Sequence, residues 1–293
     1  MRRLGHWNNS AGFEDYRRTY DAAMRDLPAP AETRDVETSY GTVRVYRFAG
    51  APGPAPLVLL PGTSSGTPVW ADNLKSLRAI ADVYALDLLG EPGMSVQTAP
   101  IRSGDDKAAW LDQTLAALPE PRFNLLGLSI GGWTAMNLAV RRPDRIATVT
   151  TLDAANVYDG IPLAIVVRSL PATVKWLPRA WRNSLNSYIA GGKPVQDVPI
   201  ADMIESGMKN YTIRQPPPQR ITEEQLTGLS MPVLAIIAGR SVIHRPATAR
   251  RTAERALRHK TVAFYPDASH AINGEYPERI SADLRAFLIA PPL

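Results

Sequence analysis

The residues most able to do covalent chemistry in this chain are Gly127-Leu128-Ser129-Ile130-Gly131-Gly132. They follow the apolar run Phe123-Asn124-Leu125-Leu126 and precede a helix-like stretch from Trp133 to Val140. A strand that enters G-x-S-x-G and leaves as a helix must turn sharply, and the small residues permit the turn. The turn lifts the Ser129 hydroxyl clear of its own backbone and aims the helix N-terminus at the reaction centre. A serine hydroxyl is a weak nucleophile until a base takes its proton, so a histidine is required.

The chain has four histidines. His6 lies near the N-terminus, and His259 sits in the basic run Arg258-His259-Lys260. His244 follows a strand and is read as a distractor. His270, in Pro266-Asp267-Ala268-Ser269-His270, comes after the last expected strand and before the final helix, and it is taken as the base. An oxyanion needs two preorganised N–H donors. The first is the backbone of Ile130, directly after the nucleophile. The second is expected from Pro61-Gly62-Thr63-Ser64-Ser65-Gly66, with Thr63 ahead of Ser64.

Positioning these groups requires a scaffold, and the hydrophobic pattern supplies one. Residues 11–26 read as an amphipathic helix, and 36–48 as two strands around Tyr40-Gly41. Leu57 to Leu60 and Val83 to Leu86 are short and wholly apolar, as in the middle of a parallel sheet. Helices are expected over 70–80, 104–118, 246–258 and 275–289, and strands over 146–152, 233–238 and 262–265. Strands alternating with helices give a parallel sheet covered on both faces. Right-handed crossovers place all the strand C-termini on one edge, where ligands bind. Residues 154–228 break the alternation and read as a helical lid. Its apolar residues, Ile161, Leu163, Ile165, Val166, Val167, Leu170 and Trp176 among them, either line a pocket or form the lid's own core. The core domain is therefore expected over 1–153 and 229–293.

With these residues in place, the chain resembles the α/β-hydrolase fold superfamily, in particular serine hydrolases of the esterase/lipase-like type. The resemblance covers about residues 35–153 and 229–290. It is carried by Leu59-Leu60-Pro61-Gly62-Thr63, by Asp87-Leu88-Leu89-Gly90-Glu91-Pro92-Gly93-Met94-Ser95, by the Ser129 turn, and by Ser269-His270 ahead of Glu275-Tyr276-Pro277-Glu278. It implies a mostly parallel central sheet flanked by helices, with a helical lid insertion. Pro61-Gly62 stands where the family often has His-Gly, which keeps the backbone donor and removes a supporting side chain. The family usually takes its acid from a Gly-x-x-Asp turn after the next-to-last strand. Here the turn is Gly239-Arg240-Ser241-Val242, with no carboxylate nearby. Some members take the acid one strand earlier, which matches Asp153 in Thr151-Leu152-Asp153-Ala154. Asp159 and the absence of any acid are the alternatives. Asp267 is read as shaping its turn and Asp87 as tying down the loop to Ser95.

The implied chemistry is hydrolysis of a carboxylic ester, thioester or lactone through an acyl-enzyme, with no metal or organic cofactor. C–C bond hydrolysis or cofactor-free oxidation on the same scaffold is the alternative, as is a ligand-binding relative with a decayed triad. The lid suggests a mostly apolar, medium-sized small-molecule substrate. The chain has 293 residues, enough for one large α/β domain with an insertion, and no cysteine, which excludes thiolate nucleophiles and disulfides. Its net charge of +5 is spread along the chain without a nucleic-acid motif. No stretch is apolar enough to span a membrane, and no apolar segment follows Arg2-Arg3. A cytoplasmic protein without nucleic-acid partners or membrane insertion is expected; oligomeric state is not readable.

Overall fold

The computed structural model describes residues 4–53, 55–163, 165, 187–188, 191–192 and 198–292. The chain opens with β1 (His6–Trp7) and α1 (Ser10–Met24), where the Asn9 side chain caps the helix by accepting from Gly12 N at 2.7 Å. Next come β2 (Glu32–Thr38), β3 (Gly41–Phe48), β4 (Leu57–Leu60), α2 (Ala71–Arg78), β5 (Val83–Leu86) and β6 (Val96–Gln97). Then follow α3 (Gly104–Ala116), β7 (Phe123–Leu128), α4 (Ile130–Arg141) and β8 (Ile146–Leu152). Among the described residues α5 (Pro199–Asn210), β9 (Tyr211–Thr212) and α6 (Glu223–Thr227) come next. The chain ends with β10 (Val233–Ala238), α7 (Pro246–Ala256), β11 (Lys260–Tyr265), α8 (Ile272–Glu275) and α9 (Pro277–Ile289). The helix expected over 275–289 is α9, which begins at Pro277; the short α8 before it was not expected and ends at Glu275, because Pro277 has no N–H to continue it.

The main sheet runs β11-β10-β8-β7-β4-β5-β3-β2, with β6 added beside β3. From β11 to β5 all pairings are parallel, while β3 pairs antiparallel with β5, β2 and β6. Side chains alternate across the strands and feed two separate cores. Val58 and Leu60 of β4 join Trp110, Trp133 and Met136 under α3, α4 and α7. Leu57 and Leu59 join Tyr16, Tyr20, Leu74 and Leu284 under α1, α2 and α9. All four residues of β4 are fully buried, as the apolar run requires.

Part of the segment 154–228 is anchored to the N-terminal segment. β9 pairs antiparallel with β1, and α5 lies along α1, where Ser206 Oγ donates to Asp15 Oδ2 at 2.6 Å and Asn210 Nδ2 donates to the same oxygen at 3.1 Å. Ile165 is buried with Tyr188, Met208 and Val242, whereas Leu163 is 75 % exposed. Val166, Val167, Leu170, Trp176 and Trp181 lie outside the described residues. No helix among the described residues is long and apolar enough to cross a membrane.

Candidate active site

The turn between β7 and α4 is built by close backbone approach. A Cβ on Gly131 would collide with the Leu60 carbonyl, and one on Gly127 with the Gly131 backbone. Glycine at both positions therefore lets α4 start directly against β7 and β4. Ser129 takes φ +52° and ψ −114°, a left-handed-side conformation that costs a non-glycine residue about 1–3 kcal/mol. Its surroundings hold it there: Ser129 N donates to Leu152 O at 2.9 Å, and Ser129 O accepts from Trp133 N at 3.1 Å.

The loop after β11 brings His270 to this serine. Arg240 N donates to Ala268 O at 2.9 Å and Ser269 N donates to Glu275 Oε2 at 2.7 Å, so the loop is braced on both sides. His270 Nε2 lies 2.9 Å from Ser129 Oγ, and His270 Nδ1 lies 2.7 Å from Asp153 Oδ2. An ionised carboxylate can only accept, so the proton sits on Nδ1 and leaves Nε2 free to take the serine proton. The three residues named from the sequence, Ser129, His270 and Asp153, thus stand in one hydrogen-bonded row.

Asp153 ends β8 with φ +44° and is fully buried. Burial pushes its carboxyl up, but the charges and hydrogen bonds of His244 and His270 outweigh that and hold it well below the usual carboxylate range. Oδ1 accepts from Ala238 N at 3.0 Å and from His244 Nε2 at 2.7 Å. Oδ2 accepts from Ser241 Oγ at 2.6 Å as well as from His270. The loop after β10, which carries no acid, instead wraps the acid of β8 with donors. His244, read from the sequence as a distractor, is therefore part of this cluster. The signal for it was a loop holding Ser241 and His244, both able to donate, at the strand end where a carboxylate was missing. Asp159 is occupied elsewhere: Arg245 grips it through Nε and Nη2, both at 2.9 Å.

The oxyanion candidates sit on either side of the serine. Ile130 is the first residue of α4. A Cβ on Gly62 would lie 3.7 Å from Ser129 Cβ, so the loop carrying Thr63 passes beside the nucleophile. Ser65 Oγ donates to Gly62 O at 2.7 Å and closes the turn. Ser64, with φ +58°, donates its amide to Glu91 Oε2 at 3.3 Å. Among the described residues no hydrogen bond uses the amides of Thr63 or Ile130. The next loop is fastened by buried Asp87, which accepts from Thr67 N at 2.8 Å and Met94 N at 2.7 Å. Among the described residues no group of three or more metal-ligating side chains is arranged to hold an ion.

Glu91 backs the oxyanion loop from a buried position, 6 % exposed, and burial pushes its carboxyl up to about 7. Lys107 is also buried, and burial brings its amine down to about 8 while the Glu91 charge opposes that. The folded Glu91 keeps its proton above the pH at which an unfolded glutamate loses it. The stabilisation is complete below about pH 4.5 and is lost as pH rises through about 7. Glu91→Gln, which mimics the protonated form, should therefore gain roughly 2–3 kcal/mol relative to the parent between pH 4.5 and pH 8. Urea unfolding of both proteins at the two pH values measures this, and a pH-independent difference would contradict it.

Comparison with known proteins agrees with this architecture. Residues 55–186 match the family model described as alpha/beta hydrolase fold. The chain is similar to the uncharacterized carboxylesterase nap of Bacillus subtilis (strain 168), 23 % identical over 94 % of this chain and 92 % of that protein. It is similar to carboxylesterase YbfK of the same organism, also 23 % identical, over 92 % of each chain. The crystal structure of naproxen esterase (carboxylesterase NP) from Bacillus subtilis superposes with TM-score 0.88 at 21 % identity, covering 96 % of this chain and 99 % of the other.

Proposed function

We propose that this chain, which has the α/β-hydrolase fold, is a serine carboxylesterase acting on a small-molecule ester. The observation that carries this is the row Ser129 Oγ–His270–Asp153 at the turn into α4. The carboxylesterase names of full-length relatives support the ester as the bond cleaved.

In this reading Ser129 Oγ attacks the acyl carbon as His270 Nε2 takes its proton. The amides of Ile130 and Thr63 receive the developing oxyanion, and Asp153 balances the charge on the imidazolium. His270 then gives the proton to the departing alcohol, whose loss leaves an acyl group on Ser129. Water attacks that ester with His270 again as base, and the acid and free serine are released. The described part of 154–228 is read as a lid over this strand edge. Supporting this, Arg240 Nη2 donates to Gly191 O at 3.2 Å, and Gly191 lies against the side chain of Ser269, the neighbour of His270.

The test is hydrolysis of p-nitrophenyl esters of short and medium acyl chains, with fluorophosphonate labelling and mapping of the modified residue. Turnover together with modification at Ser129 is the expected result. Absence of both turnover and labelling would overturn the esterase reading in favour of a pocket protein with an inert site.

A further inference from the structure

We propose that His244 is a positioning residue of this site, holding the Asp153 carboxylate in register with His270 through its Nε2–H. This rests on the reading of Ser129, His270 and Asp153 as the triad. The carboxyl torsion of an aspartate is soft, and one hydrogen bond to His270 does not fix it. A second rigid imidazole on the opposite oxygen does. His244 Nε2 and His270 Nδ1 each stand 2.7 Å from Asp153, on Oδ1 and Oδ2 respectively. Ala238 N and Ser241 Oγ add one donor to each oxygen, so the clamp is symmetric.

His244 itself argues against a packing role. It is 3 % exposed, and its Nδ1 has no hydrogen-bond partner among the described residues. A buried polar atom left unpaired is unfavourable, and an apolar side chain would fill the space without it. The bond that compensates is the one to Asp153. The charged and titratable groups around it are Asp153 at the end of β8, His270 on the loop after β11, Arg240 on its own loop and the Asp159–Arg245 pair.

Two effects follow from removing the donor. Oδ1 is left with Ala238 N as its one donor, so the carboxylate holds His270 less rigidly and kcat falls about 10- to 100-fold with KM little changed. The charge on Asp153, shared with one donor fewer, stabilises the His270 imidazolium more strongly. The acid limb of kcat/KM, which reports that base, therefore moves up by roughly half a pH unit to one unit. A residue that only fills space would not move that limb.

The experiment compares His244→Leu with His244→Gln, whose amide nitrogen reaches about as far as Nε2. Ester turnover, its pH profile and the rate of fluorophosphonate labelling are measured for both. The expected result is loss and a shifted limb in the leucine variant, with most of the loss recovered by glutamine. Equal impairment of both variants with an unmoved limb, or a leucine variant as fast as the parent, overturns the proposal. Proton NMR of the parent protein with 15N-labelled histidine keeps the question decidable should the variants fail to fold. Two low-field imidazole N–H signals, one from each histidine, support the clamp, and a single signal from His270 refutes it. Absence of labelling in the parent counts against the esterase reading alone, and the NMR signals then decide His244 by themselves.

Discussion

Ser129→Ala should lower ester turnover by roughly 10⁵- to 10⁶-fold while leaving KM and the folded structure nearly unchanged. The hydroxyl contributes little to stability, because the hydrogen bond to His270 at 2.9 Å is on the reacting side of the molecule. The backbone of residue 129 keeps its positive φ in either variant, so the strain of the turn is common to both. What remains after the substitution is the oxyanion site and substrate binding, worth about 10³- to 10⁴-fold over water in such enzymes. A variant that retained a tenth of the activity would show that another nucleophile carries the reaction. Titration of active sites with a fluorophosphonate separates this outcome from contamination.

Asp153→Asn should cost about 10⁴-fold in kcat and also destabilise the fold, which Ser129→Ala does not. The kinetic loss has a tautomeric origin: an amide nitrogen facing His270 can donate, which moves the imidazole proton to Nε2 and removes the base. The stability loss comes from the donor set. Ala238 N, Ser241 Oγ, His244 Nε2 and His270 Nδ1 all point at the two oxygens, so an amide cannot accept from all of them. Leaving one or two donors unpaired in a fully buried pocket costs on the order of 2–4 kcal/mol. Asp159→Asn is the control, because its carboxylate is held by Arg245 and does not reach the imidazole. Steady-state kinetics and urea unfolding on the three proteins check both effects; equal kinetic loss in the two asparagine variants would remove Asp153 from its role.

The sequence was most informative where local rules act alone. The turn at Ser129 needs small residues at fixed spacing, and β4 needs an unbroken apolar run; both are visible in one window of sequence. His270 was legible because only one histidine follows the last strand. The donors around Asp153 were not, since Ser241 and His244 meet it across β8 and β10, strands far apart in the chain. Nothing in the spacing of residues 239–245 encodes the position of a carboxylate on another strand. The pairing of β1 with β9 was invisible for a different reason: two-residue strands carry no periodicity. The first half of β2, Glu32-Thr33-Arg34-Asp35, was missed because an edge strand exposed to water has no apolar alternation to read.

The docking of α5 onto α1 has a consequence in time. Asp15 and Ser206 are 191 residues apart in the chain. At about 5–20 residues per second of synthesis, α1 leaves the ribosome on the order of 10–40 s before its partner helix exists. During that interval the groove that α5 will occupy stands uncovered, and the sheet that carries Ser129 and Asp153 is already being made. Helix α1 is thus translated well before α5 and acquires its full set of neighbours only after most of the sheet has been made.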